Sequence, residues 1–182
     1  MTFSDDEIAT PANTTVPVGT FTPASDDDMK TIAGLVKSAK IGLLTTVTAD
    51  GHLHSRPLAA QDVDFDGDLW FFTQDPSTKV DDIRAHDQVN AAFESGKGYL
   101  SIAGRATGVH DRAQVNELWT PAVEAWFPEG KDDPTVALIR VDAESAEYWA
   151  TNEPGVVTAF KIAKAVVTHT QPDVGDNKAV DL

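Results

Sequence analysis

Cysteine is absent from the 182 residues. That absence excludes a disulfide framework, a thiolate zinc site and a thiol nucleophile, and it suits a reducing cytoplasm. Basic residues are scarce: 14 Lys and Arg stand against 29 Asp and Glu, for a formal net charge of -15. A chain of this sign repels phosphate backbones and anionic membrane surfaces, which need clustered cations. Neither nucleic acid nor a membrane is therefore expected as a partner. No window reaches the roughly 18 apolar residues of a membrane span, and the first residues lack a basic stretch followed by an apolar core, so a soluble cytoplasmic protein is expected. Asn13-Thr14-Thr15 is then an accidental glycosylation sequon. Also missing are a Gly-x-Ser-x-Gly elbow, a dinucleotide fingerprint and a phosphate-binding P-loop; Gly96-Lys97-Gly98 is too short and bridges two strands.

What is present fits one domain, since 41% hydrophobic and 8% aromatic content over this length can bury one substantial core. Residues 1–24, rich in Thr, Pro, Ala and Asp without periodicity, read as a flexible acidic arm; 25–170 read as the domain and 171–182 as a polar tail. Ser25-Asp26-Asp27-Asp28 forms a capping box ahead of Met29, Ile32 and Val36, which predicts a helix ending near Ala39. Residues 41–48 are β-branched and apolar, Asp50-Gly51 is a turn, and 52–65 resume in extended form with Val63 and Phe65 alternating against Asp62 and Asp64. Asp66-Gly67 then turns into 69–74, whose Trp and Phe run predicts a third consecutive strand, buried on both faces. Ser77 caps a short helix reaching Ala85. Residues 88–94 and 99–109 are strands, 111–119 a helix capped by Asp111, and 121–133 irregular, with Trp126-Phe127-Pro128 as an apolar anchor. Residues 136–141 and 147–149 read as a hairpin, and 156–168 fit strand or helix. Six or seven strands without βαβ alternation predict a mainly β antiparallel barrel with peripheral helices.

In so acidic a chain an anionic ligand needs a local cationic site. Arg56 precedes Pro57 on a strand, and a strand Pro marks an edge or a break in the ladder, where backbone can face a ligand. Ser77-Thr78-Lys79 offers backbone N–H groups, two hydroxyls and an ammonium at a helix start, a composition suited to phosphate. Each has a plainer reading, an exposed edge Arg and an ordinary N-cap with a solvated Lys; their order along the chain is what sets them together at one barrel end. His52 and His54 share a strand face but lack a third metal ligand. The pairs Asp81-Asp82 and Asp132-Asp133 read as solvated surface. Trp126 and Trp149 suit core or interface packing, or a flat wall for a planar ring.

Arg56-Pro57-Leu58, Leu69-Trp70-Phe71-Phe72-Thr73, Ser77 to Lys79, residues 99–106, Ala125 to Pro128 with Lys131 to Pro134, and Ala146 to Trp149 resemble the general stress protein branch of the pyridoxamine phosphate oxidase-like proteins, in a match running over residues 29–168. The resemblance implies an FMN-binding split β-barrel that works as a homodimer, with flavin sites across the subunit interface. It implies that Arg56, Lys79, Ser77 and Thr78 bind the FMN phosphate, and that Pro57, Leu58, Phe72 and Thr73 line the isoalloxazine. Gln61, Tyr99 and Ser101 would supply polar contacts, Trp149 the aromatic contact from the second subunit, and Trp126 would lie near it. Gln61 stands where true pyridoxamine phosphate oxidases carry Lys, Thr78 where they carry Arg, and their Arg-x-His motif has no counterpart after Trp149. These departures argue against vitamin B6 chemistry, and the thinner set of cations admits FAD in place of FMN. The resulting expectation is a flavin-dependent oxidoreductase, with a noncatalytic flavin-binding or flavin-sequestering stress protein as the alternative. A deazaflavin or haem binder, and a dimeric barrel with an empty groove, stand behind these.

Overall fold

A computed structural model describes residues 21–61, 64–150 and 176–182. Helix α1 (Asp26–Ala39) starts on the capping box: the Asp28 backbone N–H donates to Ser25 Oγ, and the Ser25 backbone N–H donates to Asp28 Oδ2 at 2.9 Å. Ile32, Leu35 and Val36 make its buried stripe. Strands β2 (Ile41–Val47) and β3 (Leu53–Ala59) form the hairpin around Asp50-Gly51, with Ile41 opposite Ala59 and Val47 opposite Leu53. Strand β3 stops well short of residue 65, and residues 62 and 63 lie outside the described ones.

Strand β4 (Asp68–Gln74) does not continue that meander. It pairs antiparallel with the first half of β7 (Val136–Ala150) and, among the described residues, meets the β3 end only at the Ala60–Phe71 bridge and the Gln61 N–H to Trp70 carbonyl bond. Helix α2 (Thr78–Ala85) leads to β5 (Gln88–Ser95) and β6 (Gly98–Val109), which pair as expected. The ring β3-β2-β5-β6-β7-β4 closes through the Ala60 bridge, giving a mainly antiparallel barrel.

Three further expectations change. Residues 136–150 are one strand rather than a hairpin: exposed Asp142 and Glu144 alternate with buried Val141 and Ala143 across the supposed connection, and the strand runs on through a register shift at Glu144 that moves the buried positions to Ala146 and Tyr148. The polar tail contains β8 (Asp176–Asp181), which pairs with the second half of β7, and the end of the supposed arm, β1 (Thr22–Pro23), runs parallel to β8. Strand β7 thus has β6 along one side and β4 then β8 along the other, so eight strands are present among the described residues. Residues 156–168 lie outside the described ones.

The barrel interior joins Leu44, Phe71, Ile102 and Ile139 to the α1 stripe. A second cluster sits outside β4 and β7 beneath α3 (Arg112–Leu118) and α4 (Pro121–Glu124), where Phe72 packs edge-on against Trp119 at 5.5 Å between centroids. The double burial expected of β4 therefore holds. Phe127 is the anchor of the 121–133 segment; Trp126 stands 81% exposed. Among the described residues no helix is long and apolar enough to cross a membrane.

Candidate functional site

Strand parity decides what meets what. In β2, Leu44 and Thr46 point inward, and β3 pairs Leu44 with Arg56, so Arg56 also faces inward at the barrel end. In β4 the same alternation turns Leu69, Phe71 and Thr73 inward. Helix α2 crosses this end, with Val80 and Ile83 buried beneath it. Its start is held by Asp75, which takes His110 Nε2 at 2.8 Å and the Arg84 guanidinium.

Four elements therefore deliver polar groups to one place. Lys79 Nζ donates to Thr73 Oγ1 at 2.9 Å. Arg56 Nη1 donates to Thr46 Oγ1 at 2.8 Å, and its Nη2 to Asp82 Oδ2 at 3.0 Å. The Thr46 hydroxyl in turn donates to the same Asp82 oxygen at 2.9 Å. Burial pulls the Lys79 ammonium below its ordinary value, and the neighbouring Arg56 charge adds to that pull. The two cations thus feel one another while only Arg56 has a carboxylate; among the described residues none lies within ion-pair reach of Lys79.

Ser77 takes the N-cap position of α2 in extended conformation, and its carbonyl accepts the Val80 and Asp81 amides at 3.0 Å each. Its hydroxyl makes no capping bond and lies buried with no hydrogen-bond partner among the described residues. Buried hydroxyls are normally paired, so an orphan at a helix start, two residues before Lys79, marks a place where an acceptor group fits. The donor set suits a phosphate: a hydroxyl, an ammonium, a guanidinium and the unpaired first amides of α2. Thr78 is exposed at the same helix start.

The remaining expected residues divide. Leu58 packs against the barrel core, and Gln61 donates from Nε2 to the Ala59 carbonyl at 3.1 Å. Phe72 points away from Lys79 into the α3 cluster. Tyr99, Ser101 and Trp149 gather elsewhere: the register sets Tyr99 opposite Trp149 and Ser101 opposite Glu147, while Ser101 Oγ accepts from Asn90 Nδ2 at 2.8 Å. The ladder Pro57, Leu43, Ala92, Ser101 puts this group on the outer sheet face with Pro57. Within one chain the inward cations and the outer aromatic group are thus on opposite faces of the sheet. Trp126 belongs to neither.

Sequence reasoning missed Thr46 and Asp82. Asp81 is exposed as expected, but Asp82 is 12% exposed and belongs to the site, which corrects its reading as solvated surface. Two signals point to it: Lys79 and Asp82 are three apart on a helix and share a face, and Thr46 is a polar residue at an inward position that needs a partner.

A family model described as pyridoxamine 5'-phosphate oxidase like matches residues 27–173. Protein bli-3 from Neurospora crassa is 30% identical over 155 residues, covering 79% of this chain and 74% of that protein. A crystal structure from Jannaschia sp. CCS1, named for general stress protein 26, shares the fold with a TM-score of 0.70 at 24% identity, over 87% of this chain and 100% of that one. The general stress FMN/FAD binding protein of Xanthomonas citri is 32% identical with a TM-score of 0.58, covering 69% of this chain and 89% of its own.

Proposed function

The chain belongs to the pyridoxamine 5'-phosphate oxidase-like family, in its general stress protein group, and from that premise we propose that it binds a flavin, FMN or FAD, as a homodimer. The observation that carries this reading is the buried Ser77 hydroxyl at the start of α2, unpartnered among the described residues and two residues before Lys79, whose ammonium feels the Arg56 charge. These groups would hold the flavin phosphate. Pro57 would flank the ring, and Tyr99, Ser101 and Trp149 would reach it from the second copy, because their own sheet face is turned away from their own Lys79. A flavin bound there supplies hydride and electron transfer, while the protein supplies position and electrostatics.

Titration of the cofactor-stripped protein with FMN and FAD, followed by quenching of flavin fluorescence, tests the reading. Saturation at one flavin per chain, weakened in Lys79→Ala, supports it; binding of neither flavin overturns it. Steady consumption of NADH or NADPH by the flavin-loaded protein would favour the oxidoreductase over flavin sequestration, and inertness toward both would favour sequestration.

A further inference from the structure

Asp82 stands where a phosphate site has least use for a carboxylate. Its side chain is 12% exposed, and one of its oxygens accepts from both the Arg56 guanidinium at 3.0 Å and the Thr46 hydroxyl at 2.9 Å. Arg56 is therefore compensated before any ligand arrives. Lys79, on the same face of α2, donates among the described residues only to the Thr73 hydroxyl. Arg56, Lys79 and Asp82 together sum to a single positive charge.

A phosphomonoester carries close to two negative charges at neutral pH and above, whereas each phosphate of a diester linkage carries one. Resting on the flavin-phosphate reading of this site, we infer that Asp82 is a specificity determinant that matches the site to a phosphate group carrying one charge, as an esterified phosphate or each of the two phosphates of FAD does, and penalises the doubly charged phosphomonoester of FMN. The physical cause is repulsion between two fixed anions in a half-buried setting. The second phosphate charge adds an interaction with the Asp82 carboxylate worth on the order of tenfold in affinity. Asp82→Asn isolates this effect, because an amide oxygen still accepts from Arg56 and Thr46 while the charge is gone.

The experiment uses the full chain, stripped of cofactor, at pH 8. Affinities for riboflavin, FMN, the methyl ester of FMN and FAD are measured by fluorescence quenching in the wild type, Asp82→Asn and Lys79→Ala. The methyl ester has nearly the size of FMN and one charge fewer. Expected is that the wild type binds the methyl ester at least as tightly as FMN. In Asp82→Asn, FMN should gain on the order of tenfold over the methyl ester, with riboflavin unchanged.

Equal changes for FMN and its ester, or weaker binding of both, would show Asp82 to be a scaffold for Arg56 and overturn the inference. So would a wild type that prefers FMN to its methyl ester by tenfold or more, a result that needs no folded variant. Lys79→Ala separates the two readings. If it leaves FMN and FAD binding unchanged, the phosphate lies elsewhere and both fall; if it weakens them while Asp82→Asn does not discriminate, only the inference falls. Binding of no flavin by the wild type overturns both.

Discussion

Lys79 and Arg56 carry the same formal charge in different circumstances. Lys79 has a hydroxyl partner and is held below its ordinary value first by burial and then by Arg56. Removing it strands no buried anion. Lys79→Ala should therefore weaken phosphate-bearing flavins by about 1.5 to 3 kcal/mol, the worth of a hydrogen bond to a charged group, and leave riboflavin affinity and the denaturant midpoint unchanged. Arg56→Ala differs, because it leaves the Asp82 carboxylate, 12% exposed, with only the Thr46 hydroxyl. It should lower both flavin affinity and stability, the latter by about 1 to 3 kcal/mol. Paired titrations and urea melts distinguish the two residues, and an Arg56→Ala protein of full stability would mean that Asp82 is solvated after all.

At the scale of elements, a single carboxylate ties α1 to β7 and β8. Asp28 receives the Tyr148 hydroxyl at 2.6 Å and the Lys178 ammonium at 2.6 Å, besides its own capping box. Burial alone would raise the Asp28 carboxyl; bonds from Lys178, Ser25 and Tyr148 outweigh it and hold the group well below the usual carboxylate range. A depressed folded value gives stability that is complete above the unfolded value of about 4 and is lost as pH falls toward the folded one. Asp28→Asn should cost about 2 to 3 kcal/mol at neutral pH, and its stability should change less than that of the wild type between pH 5 and about 2. Parallel acid limbs would refute the assignment. Two glycines make opposite predictions. A Cβ at Gly104, where the β6–β7 register shifts, would come within 2.1 Å of the Asp142 carbonyl oxygen, so Gly104→Ala should destabilise by about 2 kcal/mol. A Cβ at Gly34 in α1 meets nothing within 4 Å, so Gly34→Ala should stabilise by about 0.5 to 1 kcal/mol. Thermal melts of the pair read both signs.

Across the whole molecule, the outer sheet face carries apolar side chains that a solitary chain would leave wet: Ile41 at 58%, Leu43 at 50%, Leu53 at 70% and Tyr99 at 56% exposure. Under the homodimer proposed above, this face is the association surface. A second copy seated on it would also bring its Tyr99, Ser101 and Trp149 toward ligands of the first. Leu43→Asp should therefore convert a particle of twice 19.5 kDa into one of 19.5 kDa in light scattering, and reduce flavin affinity although Arg56 and Lys79 are untouched. A wild type that is monomeric at all concentrations, yet binds flavin, would remove the dimer from the reading.

The sequence by itself determined the parts that depend on near neighbours: the capping box and stripe of α1, the β2-β3 hairpin around Asp50-Gly51, the two-faced burial of β4 and the Ser77 start of α2. It also carried the family motifs that bring Arg56 and Lys79 to notice. Only the tertiary structure decided that β4 pairs with β7 rather than β3, that 136–150 is one strand, and that a polar tail becomes β8. Strand partners are chosen by packing across the barrel, and nothing within a strand's own composition names its neighbour. The same holds for charge. Asp82 looks solvated beside Asp81, and Asp28 looks like a simple cap; their partners Arg56 and Lys178 lie 26 and 150 residues away, so burial and compensation exist only once the barrel has closed.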